Sequence, residues 1–61
     1  MPRFVTLRFV AARWAVHRTT ARRILVEGDV PAYSLGHGPG GTVRYDLRDV
    51  VAFERLARGG S

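Results

Sequence analysis

The segment that decides the fold is Thr6–Gly28, which reads TLRFVAARWAVHRTTARRILVEG. Threonine is favoured at helix N-termini, where its hydroxyl accepts a hydrogen bond from a free backbone N–H, so Thr6 predicts a helix start. Four apolar residues follow it at helical spacing, namely Leu7, Val10, Ala11 and Trp14. Ala15 and Val16 interrupt this pattern. The first part of the segment therefore predicts one short helix that ends in a tight turn.

A second helix is predicted to open at His17 or Arg18, with the inward face Thr20, Ala21, Ile24 and Leu25. Gly28 stands where a C-terminal glycine is expected, and Pro31 cannot continue a helix. His17 occupies the position of a capping residue. The pattern is that of two helices joined by a turn.

Two short alternating runs follow, and they predict a β-hairpin. They are AYSLG (32–36) and TVRYD (42–46), on either side of a glycine-rich loop. The alternating apolar residues Tyr33 and Leu35 of the first run correspond to Val43 and Tyr45 of the second. Asp46 with Asp49 resembles a capping box at the start of a third helix, LRDVVAFERLAR. Its predicted inward residues are Leu47, Val50, Val51, Phe53 and Leu56.

The order of these elements predicts an α+β protein, specifically a small winged helix-turn-helix. It consists of the helix-turn-helix, a two-stranded β-hairpin wing and a C-terminal helix. Residues 1–5 are predicted to form an extended arm. One domain is expected over residues 1–58, with a flexible tail at 59–61, and Trp14, Tyr45 and Phe53 are predicted core residues.

Composition excludes several classes of function. The 61 residues include no cysteine, which excludes disulfides, thiolate metal sites and cysteine catalysis. His17 and His37 alone make a poor basis for a zinc site. No Ser/His/Asp grouping or carboxylate pair is evident, so we expect no enzyme, no cofactor and no metal. No signal peptide or membrane-spanning run is evident either, so we expect an intracellular protein.

The distribution of charge points to a polyanionic partner. Residues 1–26 contain six arginines and no acid, whereas residues 27–61 contain four arginines and five acids. All of the excess positive charge therefore lies in the first half of the chain. Arginine suits bidentate contacts to phosphate or guanine.

The second helix is the predicted DNA-recognition helix, with Arg18, Thr19, Arg22 and Arg23 on its outward face. Guanidinium groups pair with guanine O6 and N7, and threonine can meet a thymine or a phosphate. An ordinary solvated helix face is the alternative. Contacts to the DNA backbone, including those of the wing, are expected from His17, His37, Thr42, Arg44, Arg3, Arg8 and Arg13.

The hairpin loop GHGPGG contains a literal G-x-G-x-x-G at Gly36, Gly38 and Gly41. A strand rather than a helix follows it, so no helix N-terminus is available for a pyrophosphate, and a wing tip or a plain loop is favoured over a nucleotide site.

The segment VTLRFVAARWAVHRTTARRILVEGDVPAYSLG (5–36) resembles excisionase-type DNA-binding domains of the MerR-like winged helix-turn-helix superfamily. Ala15 stands where that family usually has glycine. The later VRYDLRDVVAFE is similar to the closing strand and helix of the family. The matching positions are Thr6, Ala11, Trp14, Val16, Thr20, Ala21, Ile24, Gly28, Val30, Pro31, Ala32 and Gly36.

The resemblance implies a phage or mobile-element recombination directionality factor, located in the cytoplasm of a bacterial host cell at the nucleoid. Such proteins bind double-stranded DNA at neighbouring sites, self-associate there, bend the DNA and direct a tyrosine integrase towards excision. A small transcriptional repressor is the alternative within DNA binding. A module whose arginines meet an acidic protein is the alternative outside it, and RNA binding is weaker because no aromatic residues interleave the basic ones.

Overall fold

The computed structural model describes residues 3–36 and 42–59, which form three helices and a three-stranded antiparallel sheet. The elements are β1 (Phe4–Val5), α1 (Leu7–Trp14), α2 (Arg18–Glu27), β2 (Tyr33–Ser34), β3 (Val43–Asp46) and α3 (Leu47–Gly59). The predicted α+β class is confirmed. His37, most of the glycine-rich loop and the end of the predicted tail lie outside the described residues.

Helix α1 begins and ends where the sequence predicts. The Thr6 hydroxyl accepts a 2.9 Å hydrogen bond from the Phe9 N–H. At the other end, the Val16 N–H donates to the Ala11 carbonyl and the Ala15 N–H to the Ala12 carbonyl. These two bonds form a Schellman motif, which requires a left-handed residue. Ala15 takes that conformation, with φ 57° and ψ 43°.

Helix α2 ends in a second Schellman motif, but the left-handed residue is not the predicted glycine. The Val30 N–H donates to the Leu25 carbonyl and the Asp29 N–H to the Val26 carbonyl. Asp29 therefore stands one position beyond the helix cap, with φ 57°, while Gly28 has φ −86°. Aspartate tolerates this conformation better than most residues because its short polar side chain can hydrogen-bond locally.

The N-terminal arm belongs to the sheet, which is more than the sequence predicts for it. Strand β3 lies in the centre, with β1 on one side and β2 on the other. Val5 pairs with Tyr45, and Tyr33 pairs with Arg44, both antiparallel. The arm is held again at its start, where the Arg3 carbonyl accepts a 2.7 Å hydrogen bond from the Leu47 N–H. The described part of the hairpin thus consists of an edge strand, β2, and the central strand, β3, of a three-stranded sheet.

The core lies between the sheet and the helices. Val10, Leu25 and Val50, one from each helix, are fully buried, and Val5 and Tyr45 of the sheet complete the cluster. Trp14 packs against this cluster as predicted, with its ring centroid 5.8 Å from that of Phe53. Because these side chains come from every layer, burying them fixes the three helices on the sheet.

Some predicted inward positions are wrong. Leu56 is 75% exposed, although it was predicted to face inward. Leu35 and Val43 of the hairpin are exposed as well, so of the four alternating hairpin residues only Tyr45 is buried. Asp46 caps α3 as predicted, and its side chain accepts a 2.8 Å hydrogen bond from the backbone N–H of Arg48 rather than from that of Asp49.

None of the helices in the described ranges has the length and apolar character needed to cross a membrane.

Candidate nucleic-acid interface

Helix α2 is held by its ends and by one face. The His17 Nδ1 atom accepts a 3.2 Å hydrogen bond from the Thr19 N–H, so the predicted capping role of His17 is confirmed. Ala21 and Leu25 are fully buried, and Thr20 and Ile24 are half-buried beside them. At 100° per residue, these four positions fall within one arc of about 140°. The helix therefore cannot rotate about its axis without exposing its apolar stripe.

The remaining arc of α2 faces solvent and carries the predicted recognition residues. All of its positions are exposed: Arg18, Thr19, Arg22, Arg23, Val26 and Glu27. Thr19 and Val26 lie near the middle of this arc, Arg22 and Arg23 lie about 50° to either side of it, and Arg18 and Glu27 lie at its two edges. The positive charge is therefore concentrated in the first turns, where the helix dipole is also positive and no acid is present.

No hydrogen bond or ion pair to a described residue engages the side chains of Arg18, Arg22 and Arg23. Glu27, four positions after Arg23, forms no ion pair with it. Three guanidinium groups within six residues repel one another, and solvent alone screens them. Such a surface costs stability in the isolated protein and gains most when an anion neutralises it.

The described part of the β2–β3 hairpin carries two of the predicted DNA-backbone contacts, Thr42 and Arg44. Ser34 pairs with Val43, and beyond this pair the Leu35 N–H donates a 2.7 Å hydrogen bond to the Thr42 carbonyl. The Thr42 side chain is exposed. Arg44 is half-buried, and its guanidinium donates to the Val43 carbonyl at 2.9 Å. The hairpin therefore extends past the sheet at least to residues 35 and 42, towards the predicted tip.

Of the three arginines predicted near the N-terminus to touch the DNA backbone, two form internal ion pairs. Arg3 Nε lies 2.9 Å from Asp46 Oδ2. Arg13 binds Glu54 in a bidentate pair, with Nε–Oε2 at 2.6 Å and a second nitrogen at 2.8 Å from Oε1. Arg8 is exposed and has no partner among the described residues. Arg8 is thus the member of this set whose whole guanidinium is available to a ligand.

Glu54 joins α1 to α3. Besides the Arg13 pair, its Oε2 accepts a 2.6 Å hydrogen bond from Trp14 Nε1. Hydrogen bonding from Arg13 lowers the pKa of the Glu54 carboxyl, although partial burial opposes this shift. The same pair raises the pKa of Arg13. Because a charged acceptor holds the indole N–H, the orientation of Trp14 is fixed at the edge of the core.

Asp46 joins the N-terminal arm to the start of α3. Asp46 is 3% exposed, and its carboxylate accepts hydrogen bonds from Arg48 and Arg3. These bonds, that from the Arg48 side chain foremost, lower the pKa of the Asp46 carboxyl to about 2. The predicted role of Asp46 was helix capping alone. Its two arginine partners are Arg3 and Arg48, and no local sequence pattern predicts that both bind the same carboxylate.

Sequence reasoning singled out no arginine of α3, yet two of them are exposed beside the arm. Arg48 pairs with Asp46 at 3.3 Å, and Arg55 has no partner within residues 3–36 and 42–59. Their position on the solvent side of the predicted helix was readable from its periodicity. Their proximity to Arg3 and Arg13 was not, because it depends on how α3 packs.

The chain matches no protein-family model, no curated protein and no solved structure.

Proposed function

We propose that this protein is a winged helix-turn-helix protein that binds double-stranded DNA, with α2 in the major groove and the β2–β3 hairpin as the wing. One observation carries the proposal. Helix α2 is fixed by a buried stripe, and its opposite arc presents Arg18, Thr19, Arg22 and Arg23 with no internal partner for the arginines.

The chemistry of this arc fits base and phosphate recognition. Arginine forks match guanine O6 and N7 in the major groove, and the exposed Thr19 offers both a methyl group and a hydroxyl. The free N-terminal amides of α2 add a site for a phosphate, next to His17. Arg8, and in the wing Thr42 and Arg44 with His37, are the proposed backbone contacts. Arg3 and Arg13 can contribute only through the N–H groups that their ion pairs leave free.

Within DNA binding, the role we propose is that of an excisionase. The resemblance in the stretch Gly28–Ala32, together with the preceding helices, supports this role. In this role, several protomers bind adjacent sites, bend the DNA and direct a tyrosine integrase towards excision. The integrase, and not this protein, cleaves and rejoins the DNA strands. One such domain neutralises few phosphates, so summed contacts of neighbouring protomers would supply the energy of bending. A small transcriptional repressor is the alternative.

Gel shifts test the DNA-binding proposal. A duplex selected from a random pool is compared with a scrambled duplex, using Arg22→Ala and Arg55→Ala, which remove the same charge from two exposed, unpaired positions. Arg22→Ala should weaken binding to the selected duplex by ~1–3 kcal/mol, and the variant should show a smaller difference in affinity between the two duplexes than the wild type. Equal losses from both substitutions on both duplexes would reject recognition by α2.

Footprinting separates excisionase from repressor. Protected sites flanking the core of an attachment site, with bending of that DNA, support an excisionase. Protection over a promoter, without any attachment core nearby, supports the repressor.

A further inference from the structure

A second surface lies along α3, and no residue of α2 contributes to it. It is an open groove of about 750 Å³ between the N-terminal arm, the end of α1 and α3. Its apolar lining is Leu47, Val51 and Ala52, and the first two of these are half-buried. We call this surface the α3 groove.

Four arginines line the same groove: Arg3, Arg13, Arg48 and Arg55. Two carboxylates, Asp46 and Glu54, form ion pairs with three of them, and the carboxylate of Asp49 also attracts Arg48 electrostatically. Arg3 and Arg48 share Asp46, and their side chains are 61% and 72% exposed, so each guanidinium keeps N–H donors directed to solvent. Arg55 has no partner among the described residues. The α3 groove therefore combines apolar surface with an excess of positive charge.

We propose that the α3 groove docks an acidic amphipathic segment of a partner protein. The apolar side chains of that segment cover Val51 and Ala52, and its carboxylates bind Arg48 and Arg55. This is the helix-in-groove mode of recognition, in which an apolar stripe gives affinity and flanking charges fix the register. DNA fits the groove less well, because a phosphate backbone has no apolar surface with which to cover Leu47, Val51 and Ala52. The proposal does not depend on DNA binding by α2.

The probe for this proposal is a synthetic helical peptide with leucine at every third or fourth position and glutamate between the leucines. Titration into the isotope-labelled full chain, followed by NMR, should shift the amide signals of Val51, Ala52 and Arg55 and leave those of Arg22 and Arg23 in place. Ala52→Glu places a carboxylate in the groove and should weaken peptide binding at least about tenfold. Ala57→Glu is the matched control, because Ala57 is exposed on α3 and does not line the groove.

Arg55→Gln supplies a second test that leaves the core untouched, and it should weaken binding about three- to tenfold. Thermal unfolding of each variant reports its folding. Arg22→Ala should leave the affinity for the peptide unchanged, so a failure of the DNA proposal does not affect this result.

Several outcomes would overturn the α3 groove as a docking site for an acidic segment. They are no shift on titration, equal binding of a peptide with lysine in place of glutamate, and shifts on α2 instead of α3. If random duplex DNA shifts Val51 and Ala52, and Arg55→Gln weakens that binding, the occupant is DNA. If those signals move with protein concentration in the absence of peptide, the occupant is a second copy of the chain.

Discussion

The ring of Phe53 in α3 lies against the α-carbon of Gly28 at the end of α2. A Cβ atom added to Gly28 would lie 2.7 Å from Phe53 Cδ1 and closer still to Cε1. The φ of Gly28 is −86°, which any residue can adopt. Glycine is therefore required at this position for close packing between the helices, and the need for a left-handed residue falls on Asp29 instead.

The first prediction concerns this contact. Gly28→Ala should lower the free energy of unfolding by ~1–3 kcal/mol, because the new methyl group displaces the Phe53 ring from its packing on Trp14. Gly59→Ala is the control, since a Cβ there meets nothing within 4 Å. Urea unfolding followed by tryptophan fluorescence measures both variants. Equal stability of Gly28→Ala and the wild type would show that Phe53 can move away without cost.

The second prediction concerns the turn between α1 and α2. Ala15→Gly should raise the free energy of unfolding by ~0.5–1 kcal/mol, because glycine adopts φ 57° without the Cβ clash that alanine suffers. The same substitution three residues earlier, Ala12→Gly, should lower it by a similar amount, since Ala12 lies inside the helix. Thermal unfolding measured by circular dichroism gives both values. A decrease for Ala15→Gly would contradict the left-handed cap.

The third prediction is a loss of stability in acid. The pKa of Asp46 is lowered to about 2 from 3.8, and that of Glu54 is lowered from 4.5. In the pH range between the folded and unfolded pKa values, the unfolded chain binds more protons than the folded chain. The contribution of these carboxylates to the free energy of unfolding is therefore full above about pH 4.5 and is lost as the pH falls towards 2. The midpoint of thermal unfolding, measured from pH 6 to pH 2, should decrease in that window.

Asp46→Asn measures how much of this loss of stability in acid is due to protonation of Asp46. The amide oxygen can still accept from the Arg48 N–H, but the ion pairs with Arg3 and Arg48 are lost. The variant should therefore unfold at a lower temperature at pH 6 and lose less stability than the wild type as the pH falls to 2. Parallel curves for the two proteins would assign the acid dependence to other carboxyls.

The fourth prediction concerns the salt dependence of DNA binding. If ~4–6 phosphates are neutralised, log K should fall against log salt with a slope of about −4 to −5. Arg8→Ala should reduce the slope by about 1 and weaken selected and scrambled duplexes alike, as expected of a phosphate contact. Arg55→Ala should leave the slope unchanged, because that residue lies in the α3 groove. A slope near zero would contradict binding through the arginine arc.

Helix positions were predictable from sequence because their causes are local. The side chains of Thr6 and His17 cap the helices that follow them, and the stripe of α2 repeats with the period of a helix. The ion pairs of Arg13 with Glu54 and of Arg3 with Asp46 join residues 41 and 43 positions apart. No local pattern encodes pairs so far apart in the sequence. Both arginines were therefore predicted to contact the DNA backbone, and their internal ion pairs were not predicted.

The sequence by itself determined three helices, a hairpin and an arginine-rich arc on α2, because capping, periodicity and turn chemistry act over a few residues. The tertiary structure decided which arginines remain unpaired, why Gly28 is glycine, and that the N-terminal arm is the third strand. Each of these depends on the packing of α3 against α1, the end of α2 and the sheet. That packing follows from burying Val10, Leu25 and Val50 together, a contact among distant residues that no single segment specifies.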